Sequence, residues 1–226
     1  MSATTILSIG DRFEDRYRIE ALLGMGGMGA VYSAHDESLN LKVALKLPIL
    51  TAQNNARNEV VLREAATLSA LNHPGIPKVL HHGKASSGLA FFALELIEGT
   101  KLSELIAAGE LPEFEQRLEW LKAIASILCH IHAAGFLYAD LKPDNIIVRS
   151  GDVAQEYPIA LIDFGTSRLF KGDSGEPGRG TVDYMSPEQH LQGQLDARSD
   201  IFSFGIVAYE VLTGIRPFVV NESDKN

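Results

Sequence analysis

Tyr138-Ala139-Asp140-Leu141-Lys142-Pro143-Asp144-Asn145, followed downstream by Asp163-Phe164-Gly165, decides how this chain is read. A carboxylate, an amine and an amide fall within six residues, and a second carboxylate follows on the Asp-Phe-Gly turn. Asp140 and Asn145 are too close to lie on separate elements, so both belong to one tight loop. The apolar runs at 133–137 and 146–148 fix that loop at both ends, which disfavours a freely solvated polar turn. Asp140 can accept or orient the proton of an attacking hydroxyl. Lys142 can neutralise a phosphoryl group in transit. Asn145 and Asp163 offer oxygens to a magnesium ion.

Upstream, Gly24-Met25-Gly26-Gly27-Met28-Gly29-Ala30-Val31 lies between two β-prone runs. Glycines let a backbone approach a charged ligand and turn its N–H groups toward phosphate oxygens. An ordinary glycine-rich hairpin is the plainer reading. Because a strand follows rather than a helix, dinucleotide binding is disfavoured. Val43-Ala44-Leu45-Lys46 ends an apolar strand in a lysine, and alternation puts Lys46 and Leu45 on opposite faces. Lys46 is either a surface lysine or the bridge to the α- and β-phosphates of a nucleotide. The second role needs an orienting partner. Glu64 is the better candidate and Glu59 the alternative, because Glu64 shares a helical face with Leu68 and Leu71.

Residues 17–23, 30–34, 43–47, 77–82 and 89–95 read as strands, interrupted by one helix over 55–71 with Val60, Val61, Ala65, Leu68 and Leu71 at helical spacing. Asn72-His73-Pro74-Gly75 ends that helix. After Glu98-Gly99 the pattern becomes helical. Leu118, Leu121, Ala125, Leu128 and His132 line one face, and Gly135 stops the run. Residues 146–148 and 159–162 suggest a small strand pair, and 163–188 reads as loop. Residues 201–212 form an almost wholly apolar helix, expected to be buried all round and capped by Thr213-Gly214. The order implies a small β-rich lobe, a connector and a helical lobe, with a ligand cleft expected between the lobes. There is no internal repeat.

The bulk properties are those of a soluble globular protein: 226 residues, 46% hydrophobic and 22% charged. A net charge of −9 argues against nucleic acid or an anionic membrane as the main partner. Cys129 is the single cysteine, which excludes an internal disulfide; its apolar surroundings suggest a core thiol. No secretory signal opens the sequence, and no apolar run approaches the roughly 20 residues that span a bilayer. A cytosolic setting is expected, alone or as the cytosolic part of a longer membrane-attached protein. The histidines show no metal-binding spacing; His130 and His132 face different ways on a helix.

In combination, these segments resemble the eukaryotic-like serine/threonine protein kinases found in bacteria, from about Gly10 to the chain end. The resemblance implies an α+β, bilobal fold in one domain over 1–226. Its β-rich N-lobe with one main helix covers 10–94, a hinge 95–99, and a partial C-lobe 100–226. It implies ATP and Mg2+ as cofactors and a protein substrate carrying serine or threonine. Gly24, Gly26 and Gly29 would cover the ATP phosphates, with Leu23 and Gly27 in the same nucleotide-binding set. Lys46 would pair with Glu64. Asp140 would be the catalytic carboxylate, Lys142 would assist it, and Asn145 and Asp163 would bind magnesium. Leu94 would be the gatekeeper, the backbones of Glu95 and Ile97 would bond adenine, and Val31, Ala44 and Ile147 would sandwich it. Asp200 would anchor the catalytic loop, and Leu68, Val79, Tyr138 and Phe164 would stack as a spine. Gly180-Thr181 through Ser186-Pro187-Glu188 resembles the substrate-docking end of the activation segment, which favours a polypeptide over a small-molecule substrate.

Three departures stand out. Tyr138-Ala139-Asp140 replaces the usual His-Arg-Asp. Ala139 cannot clasp a phosphate, so activity is expected to depend little on phosphorylation at Ser174, while Thr181 is expected to serve substrate docking. Tyr138 is expected to fill the apolar stack. Relatives continue through further helices past Thr213-Gly214-Ile215-Arg216-Pro217-Phe218, whereas this sequence stops eight residues later. The arginine that usually pairs with the glutamate at 188 falls in that part, so Glu188 is expected to be unpaired. Hydroxyls are few between 163 and 188. A pseudokinase, binding nucleotide without turnover, is the alternative reading.

Overall fold

The structure is a computed structural model, and it describes residues 7–26, 29–48, 54–151, 156–169, 181–191 and 193–218. The chain separates into two compact units. One comprises Met1–Asn72 and Pro77–Ile97; the other comprises His73–Ile76 and Glu98–Asn226.

The first unit is a six-stranded antiparallel sheet in the order β1-β2-β3-β4-β6-β5. Its strands are β1 (Arg12–Phe13), β2 (Tyr17–Gly26), β3 (Gly29–Asp36), β4 (Leu41–Leu47), β5 (Val79–Lys84) and β6 (Ala90–Glu95). Helix α1 (Asn54–Ala70) is inserted between β4 and β5. Register explains the division of labour between the faces. Ala30 pairs with Leu47, Tyr32 with Leu45 and Ala34 with Val43, so these residues share a face. They form the apolar core together with Tyr17, Ile19, Phe91 and Ala93. The intervening residues point to the other side: Val31 pairs with Lys46, Ala44 with Leu94, and Lys46 with Phe92. Val61, Ala65, Leu68 and Leu71 are buried, as the helical spacing predicts, while Val60 is half-buried.

In the second unit, β7 (Gly99–Lys101), β9 (Ile146–Arg149) and β10 (Ile159–Leu161) form a three-stranded sheet in the order β10-β9-β7. A two-stranded sheet joins β8 (Phe136–Leu137) to β11 (Arg168–Leu169). The helices are α2 (Leu102–Ala108), α3 (Phe114–Ala133), α4 (Pro187–His190) and α5 (Ala197–Thr213). Strand β7 begins at Gly99, the last residue expected to be connector. Gly99 there has φ 154°, and a Cβ on it would lie 2.1 Å from the Val148 carbonyl oxygen, so only glycine fits this pairing. His73–Ile76, expected only to stop a helix, belongs to this unit: the Gly75 carbonyl accepts from Leu161 N–H, and the Pro74 carbonyl from Arg149.

Three burial expectations are corrected. The buried residues of α3 are Trp120, Leu121, Ala123, Ile124, Ile127, Leu128 and Ile131, with Leu118, Ala125 and His132 only half-buried. The bulkier isoleucines and the tryptophan turn that face inward. Cys129 is therefore exposed rather than a core thiol, about 200° round the helix from Ile127. Helix α5 is not buried all round either: Ile201, Phe202 and Tyr209 are exposed while Ser199, Asp200, Ser203 and Glu210 are buried. Its inner face combines the apolar Ile206, Val207 and Val211 with these hydrogen-bonded polar residues. Gly214 ends α5 in the left-handed conformation, its N–H bonding the Glu210 carbonyl. Among the described residues, no helix is long and apolar enough to cross a membrane.

Candidate active site

In the first unit, the Lys46 ammonium lies 2.7 Å from the Glu64 carboxylate, and both residues are buried. β4 supplies the lysine on the face opposite the apolar core, and α1 turns Glu64 inward with Val61, Ala65 and Leu68. A desolvated ion pair is retained only where its geometry is good. Val31, Ala44 and Leu94 share the Lys46 face. Gly24 and Gly26 lie in the exposed end of β2, where an added Cβ would meet nothing within 4 Å. Gly29 differs: a Cβ there would lie 2.3 Å from the Leu47 carbonyl oxygen, so it is required by the β3–β4 pairing itself. Leu23 is about half exposed. Gly27 lies outside the described residues. The Glu95 N–H already bonds the Lys78 carbonyl, so a ligand cannot use that donor. Ile97, half-buried, ends this unit.

In the second unit, the loop from Tyr138 to Asn145 is held between β8 and β9. Asp200 of α5 accepts from the backbone N–H of Tyr138 (2.9 Å) and of Ala139 (2.8 Å), and lies 2.7 Å from His132 Nε2. Ala139 takes a positive φ of 67°. The Asp140 carboxylate accepts three hydrogen bonds and keeps acceptor capacity on Oδ1. Its Oδ2 accepts from Lys142 Nζ at 2.7 Å and from Asn145 Nδ2 at 3.1 Å. Its Oδ1 accepts from the Thr181 N–H at 3.0 Å. Lys142 Nζ also donates to the Thr181 hydroxyl at 2.6 Å. A hydroxyl, an ammonium and a carboxylate thus meet in one place, the grouping needed to orient an alcohol and screen incoming negative charge.

Asn145 donates its amide hydrogens to the Asp140 carbonyl and carboxylate. Asp163 stands in the left-handed region at φ 63°, with its Oδ1 receiving the Gly165 N–H at 3.3 Å. An amide oxygen and a carboxylate are hard ligands suited to magnesium, which takes few protein ligands and completes its shell with water and phosphate oxygens. Among the described residues no three His, Cys, Asp or Glu side chains gather to hold a metal by themselves. Ile147 lies buried on β9.

Tyr138 does more than fill an apolar stack. Its ring meets Phe164 edge-on at 5.1 Å, and its hydroxyl donates to the Ile162 carbonyl just before Asp163. Glu188 is not left without a partner: it accepts from the Ser199 hydroxyl, and that bond chiefly holds its carboxyl below the usual range. Ser174 lies outside the described residues. Sequence reasoning also missed Gln189, whose amide reaches the Ala139 carbonyl, and Ser203, whose hydroxyl bonds the Tyr184 carbonyl at 2.7 Å. A signal for Gln189 existed. Ser186 and Gln189 form the S-x-x-Q capping box that opens α4, with Pro187 in its first turn.

Comparison with known proteins gives a consistent result. The protein kinase domain family matches residues 17–226. The serine/threonine-protein kinase pkn3 of Myxococcus xanthus is 36% identical over 225 residues, covering 96% of this chain and 40% of that protein. The serine/threonine-protein kinase PknA of Mycobacterium tuberculosis is 32% identical over 221 residues, covering 93% of this chain and 49% of that protein. The kinase pkn2 of Myxococcus xanthus is 36% identical over 213 residues, covering 91% of this chain and 25% of that protein. The chain belongs to the protein kinase family and has its α+β fold. It spans less than half the length of these relatives.

Proposed function

We propose that this chain transfers a phosphoryl group from MgATP to serine or threonine hydroxyls of proteins. The observation that carries the reading is the convergence of Asp140, Lys142 and the Thr181 hydroxyl within hydrogen-bond distance. Asp140 orients the substrate hydroxyl and receives its proton. Lys142 balances negative charge on the group in transit. Lys46, aimed by Glu64, holds the α- and β-phosphates. Asn145 and Asp163 would hold Mg2+, which would screen the negative charge of the phosphates. Leu23, Gly24, Gly26, Gly27 and Gly29 cover the phosphates. Val31, Ala44 and Ile147 flank the adenine, with Leu94 and the backbones of Glu95 and Ile97 at its edge. The main work is positioning, and little covalent chemistry falls to the protein.

The test is phosphate transfer from MgATP to a generic serine- and threonine-containing protein, comparing the chain with Asp140→Asn. A loss of about 10²- to 10⁴-fold in kcat is expected. Equal background from both proteins would replace this reading with a nucleotide-binding module.

A further inference from the structure

Gln189 is a buried neutral amide with both ends committed. Its Nε2 donates to the Ala139 carbonyl at 2.9 Å, and its Oε1 accepts from the Ser186 N–H at 2.9 Å. It is only 4% exposed, so neither bond is shared with bulk water. The acceptor is a singular one. Ala139 precedes Asp140, and its φ of 67° lies in the left-handed region, where a residue with a Cβ rests under strain. Such a conformation persists only where its surroundings impose it.

Two elements impose it from opposite ends. The Ala139 N–H is held by Asp200 of α5, and the Ala139 carbonyl by Gln189 of α4. That carbonyl belongs to the peptide plane joining Ala139 to Asp140. Fixing the plane sets ψ of Ala139 and φ of Asp140, and so the direction in which the Asp140 carboxylate leaves the backbone. Ala139 has no side-chain hydrogen-bonding group with which to brace this turn itself.

We propose that Gln189 is a positioning residue for phosphoryl transfer. It clamps the Ala139–Asp140 peptide and ties the aim of Asp140 to the Ser186–Gln189 capping box, with no phosphate group needed. The kinetic part rests on the function proposed above; the clamp itself does not.

Two variants and two readouts test this. Gln189→Leu removes both bonds at similar volume. Gln189→Glu keeps the acceptor for Ser186 but donates to the Ala139 carbonyl only when protonated. For Gln189→Leu, kcat should fall about 10- to 100-fold, the scale of a misaligned reacting group, with KM for ATP nearly unchanged. Gln189→Glu should show the same loss at pH 8 and regain activity as pH falls toward 6, as burial raises its carboxyl into that range. The parent should show no such rise. The second readout needs no turnover. Backbone hydrogen exchange at Ala139–Leu141 should accelerate about tenfold in Gln189→Leu while the amides of α5 keep their protection.

Unchanged exchange at Ala139–Leu141 in a folded variant would overturn the clamp. Parental kcat for Gln189→Glu across that pH range would overturn the positioning role. If Gln189→Leu does not fold, Gln189→Glu decides both points. If the parent turns over no faster than Asp140→Asn, it is the proposed function that fails, and exchange still decides the clamp.

Discussion

Asp36 shows how much one side chain can hold at the corner of a sheet. It is fully buried at the end of β3 and receives Arg16 through both Nε (2.9 Å) and Nη2 (2.8 Å). The N–H groups of Ser38 and Leu39 add two more donors. Burial alone would raise its carboxyl, but the Arg16 and backbone bonds together hold it below the ordinary range. Next to it, the Tyr17 hydroxyl lies 2.6 Å from His81 Nδ1. Burial pushes Tyr17 up to about 12, so it stays protonated and donates. Burial, then the Arg16 charge, lowers His81, which keeps its ring neutral and able to accept. The Asp36 and His81 shifts have the same sign for stability. Each group's contribution is present above its unfolded-state pKa and is lost as pH falls through the depressed folded value. His81 should act first, below about pH 6.5, and Asp36 only below about pH 4. Urea denaturation from pH 7 to 5 should show a falling midpoint that His81→Phe flattens. Asp36→Asn should cost about 3 kcal/mol at pH 7, because it leaves Arg16 without its carboxylate. A pH-independent midpoint in the parent over that window would refute the His81 assignment. None of this cluster was legible in the sequence. Arg16, Asp36 and His81 carry no shared motif, and only the β2–β3 register and the fold of β5 bring them together. The Lys46–Glu64 pair was legible, because each residue sits at a definite phase of its own strand or helix.

At the level of elements, strands and helices followed from periodicity, while the choice of buried face did not always do so. Helix α1 turned in the faces its spacing gave. Helix α5 did not: beside Ile206, Val207 and Val211 it buries Ser199, Asp200, Ser203 and Glu210, whose partners lie in other segments that its local sequence does not reveal. Burying a polar group is tolerated once it is bonded, so such partners can outweigh apolar patterning. The β8–β9 loop gives the sharper case. Tyr138 reads from the sequence as an apolar filler, yet its hydroxyl ties the β8–β9 loop to the Ile162 carbonyl while its own carbonyl accepts from Ser167 at 3.3 Å. Tyr138→Phe should keep the edge-on contact with Phe164 and lose the hydroxyl bond, leaving a carbonyl short of its donor. A cost of about 1–2 kcal/mol is expected in chemical denaturation. Because Ile162 precedes Asp163, the variant should also weaken any response to Mg2+ more than any response to magnesium-free nucleotide. A variant as stable as the parent, with equal responses to both, would show that the ring alone carries this position.

For the whole molecule, the governing fact is a charge of −9 on a chain that we propose binds a polyanion. Long-range electrostatics oppose the encounter, so on the proposed reading affinity would come from local groups: Lys46, Lys142, and an ion that Asn145 and Asp163 would hold. The direction of the salt effect follows. Nucleic-acid binders release counterions and weaken steeply as salt rises. Here added salt screens repulsion as well as the local attraction, and the buried lysine is screened least. Saturating MgATP at about 100 times its dissociation constant should stabilise the native chain by about 2.7 kcal/mol. For a chain of this size that is a rise in Tm of roughly 5–10 °C. The rise should persist from about 20 to about 200 mM salt, across which the Debye length falls from roughly 20 to 7 Å. It should shrink when EDTA removes the metal, and Asp163→Asn should respond equally with and without magnesium. A shift that collapses with salt, or one that Asp163→Asn retains in full magnesium dependence, would mean that surface charge rather than the assigned ligands holds the nucleotide.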